Sequence, residues 1–122
     1  MIETIEEMPA GTIGFHASGE ITADDYRGVL EPALREAAES GEIRMLYLID
    51  PEFSMHAGAM AQDAKTGLGL GIGHHSAWKR SAVVTDVEWV RRAMHLFAWM
   101  APGELRVFAE RELEDAKSWV AG

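Results

Sequence analysis

Apolar positions change their spacing several times along the chain, from short strand-like runs to helical repeats and back. Ile2 to Met8 and Thr12 to Ser18 read as two strands parted by a Pro9-Ala10-Gly11 turn, most simply an antiparallel hairpin. From Tyr26 the spacing becomes helical: Val29, Leu30, Ala33, Leu34, Ala37 and Ala38 build one apolar face. Thr22 is placed to cap this helix with Asp25 three residues on, and Gly41 suits the left-handed residue that ends it. Pro32 conflicts with the pattern, because its ring should strike the Gly28 carbonyl and remove a hydrogen bond. A kink or break is expected there.

Ile43 to Ile49 is an almost unbroken apolar run, as expected of a strand covered on both faces of a parallel sheet. Asp50-Pro51 stops it. A second helix is predicted over about Gly58 to Leu70, with Met60, Ala64, Gly67, Leu68 and Gly71 on one face. Ser81 to Thr85 reads as a short buried strand. Asp86 is expected to cap a third helix that turns Trp89, Val90, Ala93, Met94 and Phe97 toward the core. After Pro102-Gly103, a last strand spans Leu105 to Phe108. A last helix spans Glu110 to Val120, through Leu113, Ala116 and Val120. The order ββαβαβαβα predicts an α/β fold: a mostly parallel five-stranded sheet with an antiparallel N-terminal strand and helices packed on it. No linker or repeat divides residues 1–122, so one domain is expected.

Charge narrows the partners. The formal net charge is -9, and residues 1–42 hold ten acids against Arg27 and Arg35. Nucleic-acid binding needs clustered bases to displace phosphate counterions, which is the reverse of this distribution. The chain has no cysteine, excluding disulfides and thiolate metal sites and fitting a reducing compartment. The acidic start lacks the form of a secretion signal, and no apolar run reaches the roughly 20 residues of a membrane span. A cytoplasmic protein is expected, with no nucleic acid as partner.

Several motifs invite chemistry. The run Gly67-Leu68-Gly69-Leu70-Gly71-Ile72-Gly73 fails the dinucleotide spacing at every start and lacks the Gly-Lys-Ser/Thr of a phosphate loop. It reads as a softened, apolar helix end. Adjacent His74 and His75 point too far apart to chelate one ion, and His56 and His95 stand alone, so neither metal nor cofactor is expected. Asp50 and Asp86 follow neighbouring strands at their carboxyl ends, the edge where open α/β sheets bind ligands. Ser54, His56, Asp63, Lys65 and Trp89 are candidates to join them; the competing reading makes Asp86 a helix cap and Asp50 a turn residue. Trp78, Trp99 and Trp119 are candidates for a partner surface or a greasy pocket. No nucleophile elbow accompanies these groups, and no catalytic residue is assigned.

Leu46-Tyr47-Leu48-Ile49-Asp50, Asp63 to Leu68, Val83 to Trp89 and Pro102 to Phe108, taken in this element order, resemble the SpoIIAA-like family of the STAS and CRAL-TRIO (Sec14-like) fold group. The resemblance implies a small bacterial β-α superhelical domain that works by binding rather than by chemistry. Antagonists of this group carry a phosphorylatable serine at the start of the second helix. In Met55-His56-Ala57-Gly58 the expected position holds Ala57, and Ser54 is out of register. The expected function is therefore a non-enzymatic binding or regulatory module, self-associated as a homodimer or paired with another protein. A carrier of a small apolar ligand such as a fatty acid is the alternative. A hydrolase using Asp50, Asp86 and Lys65 is the more distant one.

Overall fold

A computed structural model describes residues 1–55, 77–100 and 103–122. Strands β1 (Ile2–Thr4) and β2 (Ile13–Ala17) pair antiparallel, placing Ile2 opposite Ala17. A short β3 (Glu20–Ile21) follows, and then a helix in three segments: α1 (Ala23–Asp25), a π-helical turn (Tyr26–Leu30) and α2 (Glu31–Glu39). Next come β4 (Ile43–Ile49), β5 (Ser54–Met55), β6 (Trp78–Val84), α3 (Glu88–Phe97) with a 3-10 turn (Ala98–Met100), β7 (Glu104–Phe108), a 3-10 turn (Glu110–Glu112) and α4 (Leu113–Ala121). The main sheet runs β1-β2-β4-β6-β7, with every pair after the first parallel. The expected five-stranded sheet with its antiparallel first strand is thus present. A further parallel pair, β3 with β5, was not expected; it sets Glu20 beside Ser54.

Strand alternation divides the core. Ile43, Met45 and Tyr47 face one side and meet Tyr26, Leu30, Leu34 and Ala38 of the first helix. On that side Ile49 and Val83 also meet Val90 and Met94 of α3. Leu46, Ala82, Val84 and Phe108 face the other side, against Leu113, Ala116 and Val120 of α4. Leu46 and Val84 are fully buried, which is why the apolar run of β4 shows no polar alternation.

The first helix begins as its sequence demands. The Thr22 hydroxyl accepts from the Asp25 amide, and the Asp25 carboxylate accepts from the Thr22 amide at 2.9 Å. Its end follows the sequence too, with Gly41 at φ 103. Pro32 does not break it. The Glu31 amide donates to the Tyr26 carbonyl, five residues back, and this wider turn relieves the clash with the proline ring. Pro32 then falls in the first turn of α2, where a missing N–H leaves no gap. The expected break is corrected accordingly; the irregularity that Pro32 announces takes the form of the π turn just before it.

On the other face of the sheet, the C-terminal end of α4 is held by arginines from the strands beneath it. Arg44 Nη1 donates to the Val120 carbonyl at 3.1 Å, and Arg80 Nη1 to the Trp119 carbonyl at 2.7 Å. Both cations meet the negative end of the helix dipole. The guanidinium carbons of Arg80 and Arg106 lie 5.0 and 5.4 Å from the Trp119 ring centre.

Gly103 opens β7 at φ 73, and a Cβ there would lie 2.6 Å from the Trp78 carbonyl oxygen. Gly28, in the π turn, has open space around it. Gly103→Ala should cost about 2 kcal/mol or more of unfolding free energy. Gly28→Ala should instead stabilise by about 0.5–1 kcal/mol. Urea titrations of the two variants check both signs.

Candidate functional site

Four side chains gather where the parallel strands end. His16 lies near the end of β2, Asp50 directly after β4, Asp86 just beyond β6 and Glu110 just beyond β7. The His16 Nε2 stands 3.7 Å from Asp50 Oδ2, an ion pair once the imidazole is protonated. Asp50 Oδ1 accepts from the Glu52 amide at 3.0 Å, and the Asp50 carbonyl accepts from the Phe53 amide. This is the turn role weighed for Asp50, and it leaves Oδ2 facing His16.

Asp86 departs from expectation. It does not cap α3, whose N-cap is Val87 with no side-chain hydrogen bond. Asp86 Oδ1 instead accepts from the backbone amide of Glu110 at 3.1 Å, tying the exit of β6 to the exit of β7. The start of α3 is fixed by fully buried Thr85. Its hydroxyl accepts from the Val87 amide at 3.0 Å, and its carbonyl accepts from Arg91 Nη1 at 3.0 Å. A threonine one residue earlier does part of the work expected of the aspartate.

Burial raises the Glu110 carboxyl above the usual carboxylate range. A side-chain hydrogen bond with Asp86 and the charges of Asp86 and Asp50 push the same way, and His16 opposes them. Asp50 and Asp86, chosen from sequence as neighbours at the sheet edge, thus act on one shared group. His16 and Glu110 were missed. The rule that selected Asp50 and Asp86, an acid just past a parallel strand, also reaches Glu110; nothing in the sequence singled out His16. Ser54 is exposed on β5, where its amide donates to the Gly19 carbonyl at 2.7 Å. His56, Asp63 and Lys65 lie outside the described residues, as do Ala57, the predicted second helix, the glycine run and the His74-His75 pair. Among the described residues, no three His, Cys, Asp or Glu side chains are placed to hold a metal ion.

A second surface lies on α3. Val90 and Met94 face the sheet, but Trp89 does not join them; it is 60% exposed and stacks on Phe53 with ring centres 5.7 Å apart. This corrects its assignment to the core. Trp89 lies beside Val90 on the wheel, and the narrow seam over Ile49 and Val83 is filled by the smaller residue. Leu96 is 66% exposed and Trp99 81%. The three therefore sit on the outer side of α3 and its terminal turn. The other two tryptophans differ. Trp78 packs against the core beside the first helix, and its buried Nε1 has no hydrogen-bond partner among the described residues. Trp119 is half-buried against Phe108, with ring centres 5.8 Å apart.

The SpoIIAA-like family matches residues 12–121. Among curated proteins, none matches the chain. Among solved structures, the chain is similar to an uncharacterized protein of the DUF3478 family with a SpoIIAA-like fold from Shewanella loihica PV-4. The identity is 27%, the TM-score 0.73, and the match covers 98% of this chain and 93% of that one. Among the described residues, no helix is long and apolar enough to cross a membrane.

The rim's charges predict a pH dependence. Because the folded state raises the Glu110 pKa, it binds that proton more tightly than the unfolded chain does. Its contribution to stability is complete below the ordinary glutamate value and is lost as pH rises through the raised one. Asp25 has the opposite sign. Burial raises its pKa, but hydrogen bonds from Thr22, the positive charge of the Met1 amino group and a hydrogen bond from the Ile2 amide together outweigh that and lower it. Its contribution is lost as pH falls through the lowered value. Asp86→Asn should bring the Glu110 midpoint down, read by NMR titration of the side-chain carboxyl carbon. An unchanged midpoint would show that Asp86 is not the cause.

Proposed function

Because the chain belongs to the SpoIIAA-like family, we propose that it is a non-enzymatic binding or regulatory module that acts through protein contacts, with the outer face of α3 as its docking surface. One observation carries this reading: Trp89, Leu96 and Trp99 stand 60%, 66% and 81% exposed on one helix and its terminal turn. Apolar side chains scattered singly over a surface are ordinary, whereas grouped ones mark contact sites. Ala57, at the position where the resemblance places a phosphorylatable serine, favours a module without the classical phospho-switch. The hydrolase reading has less support, since Asp50 already accepts a backbone amide in its own turn and Asp86 accepts the Glu110 amide across two strand exits.

A second reading, a carrier of a small apolar ligand, is favoured by Trp78. Its buried indole N–H, without a partner among the described residues and beside an apolar cluster, would suit a ligand that brings one acceptor oxygen into a greasy site. Native mass spectrometry separates the readings. A carrier should show an added mass that Trp78→Phe removes, and a protein-docking module should show the bare chain.

Replacing Leu96 and Trp99 together by serine should leave unfolding free energy within about 0.5 kcal/mol of the parent, because neither side chain is buried. The same variant should lose most of the fluorescence that the parent induces in an apolar surface probe such as bis-ANS. Full retention of that signal would remove α3 as the docking surface.

A further inference from the structure

Neighbouring strand exits are tied together in two places, and each tie pairs a backbone hydrogen bond with a side-chain contact that needs a proton. Where β2 and β4 end, Ala17 lies opposite Ile49, and the Asp50 amide donates to the Ala17 carbonyl at 2.9 Å. His16 Nε2 and Asp50 Oδ2 cross the same gap at 3.7 Å. That is too long for a hydrogen bond, so the attraction is coulombic and exists only when the imidazole carries a proton. Where β6 and β7 end, Val84 lies opposite Phe108, and the Thr85 amide donates to the Phe108 carbonyl at 2.9 Å. Here the carboxyl groups of Asp86 and Glu110 are within hydrogen-bond reach of each other. Two carboxylates are both acceptors, so this contact also exists only while one of them holds a proton.

We infer that the rim is a proton-dependent brace: His16 with Asp50, and Glu110 with Asp86, hold neighbouring strand exits together in acid and let them part as their protons leave. Both contacts change in the same direction. In acid the rim holds an imidazolium beside a carboxylate and a carboxyl beside a carboxylate, both attractive. Once both protons are gone, Asp50, Asp86 and Glu110 are all negative and no attraction replaces the lost ones. The neighbouring charges do not take over. Glu3 of β1 lies opposite His16 and Glu52 lies in the Asp50 turn, both further acids. Arg91 of α3 is bound to the Thr85 carbonyl, Arg92 to Glu88, and Lys117 of α4 to Glu114. Arg111 and Asp115 are exposed, and Glu112 accepts the Ala109 amide. Among the described residues, no arginine or lysine pairs with Asp50, Asp86 or Glu110. Burial and the nearby acids raise the Glu110 carboxyl, so its proton leaves above the ordinary carboxylate range. Because His16 opposes that rise, loss of the His16 charge makes Glu110 hold its proton more tightly, and the loosening is gradual. The segments freed are those leaving the sheet at these exits: the Asp50 turn, which leads to Phe53 and β5, and the lead into α3.

Residue-resolved hydrogen exchange on the full chain tests this between about pH 4.5 and 8, which spans the ordinary carboxyl and imidazole ranges. Protection factors divide out the intrinsic pH dependence of exchange. Taking them relative to Leu46 and Ala82, at the centres of β4 and β6, removes the global effect of a net charge of -9. The relative protection of the Asp50 and Thr85 amides should fall about fivefold from the acid to the alkaline end, the loss of one modest contact at each. Glu110→Gln replaces the shared proton with an amide that donates to Asp86 at every pH, so it should hold Thr85 at its acid value while Asp50 still falls. His16→Arg keeps a positive charge beside Asp50 and should do the reverse. Both positions are partly exposed, so both variants should keep the parent's circular dichroism spectrum. Relative protection in the parent that stays flat or rises with pH overturns the brace without recourse to any variant. A parent-like fall at both amides in the folded double variant, Glu110→Gln with His16→Arg, overturns it as well, because the response then comes from other charges.

Discussion

Covering both faces of β4 and β6 is the constraint on which the rest of the molecule depends. Parallel strands in the middle of a sheet satisfy their backbone groups sideways and leave two apolar faces to hide. Ile43 and Leu46 of β4 point to opposite faces, and both are fully buried, so neither face can be left to water. The first helix and α3, which connect β2 to β4 and β6 to β7, lie on one face. The other face is covered by α4, which comes after the last strand. This explains why α4 is pinned so firmly. Arg44 and Arg80 rise from neighbouring strands to take the carbonyls at its end, and Trp119 lies against Arg80 and Arg106. An aromatic ring that looked available from its helix position is a clamp holding the closing helix down.

Features decided by local chemistry were legible in the sequence. The Thr22–Asp25 box, the turn at Gly41, the buried run of β4 and the inner face of α4 depend on residues close in sequence or on simple periodicity. What was not legible depended on distant partners or on competition between neighbours. Pro32 predicts trouble, but only the surrounding packing decides that the helix widens rather than breaks. The pairing of Glu20 with Ser54 joins positions too short and too polar to read as strands. Asp86 stands in a plausible capping position, yet its carboxylate goes to the Glu110 amide while Thr85 serves the start of α3. Trp89 and Val90 compete for one seam, and periodicity alone does not choose between adjacent residues.

The candidate site shows the same division. Strand ends can be counted from sequence, so the rule placing ligands at carboxyl ends found Asp50 and Asp86. The structure adds that these acids are engaged with backbone amides and with each other's neighbours. Asp86 staples one strand exit to the next, Asp50 closes its own turn beside His16, and the charges of both acids help to raise the Glu110 carboxyl. Carboxylates that accept backbone amides hold the rim's shape by linking its strand exits.

The last step concerns what an exposed tryptophan contributes. Burying apolar surface yields roughly 25 cal/mol per Å². A ring left 81% exposed, as in Trp99, therefore adds little to folding while raising the tendency to associate. Trp119, also placed away from its helix's main apolar stripe, recovers that free energy inside the chain through Phe108 and two arginines. Among the described residues, Trp99 and Leu96 have no comparable cover. On the docking reading, their free energy is realised only when another surface arrives. The stability of α3 then rests on Val90 and Met94, and recognition rests on the opposite side of the same helix. Separating the two faces lets the recognition face change with little effect on the fold.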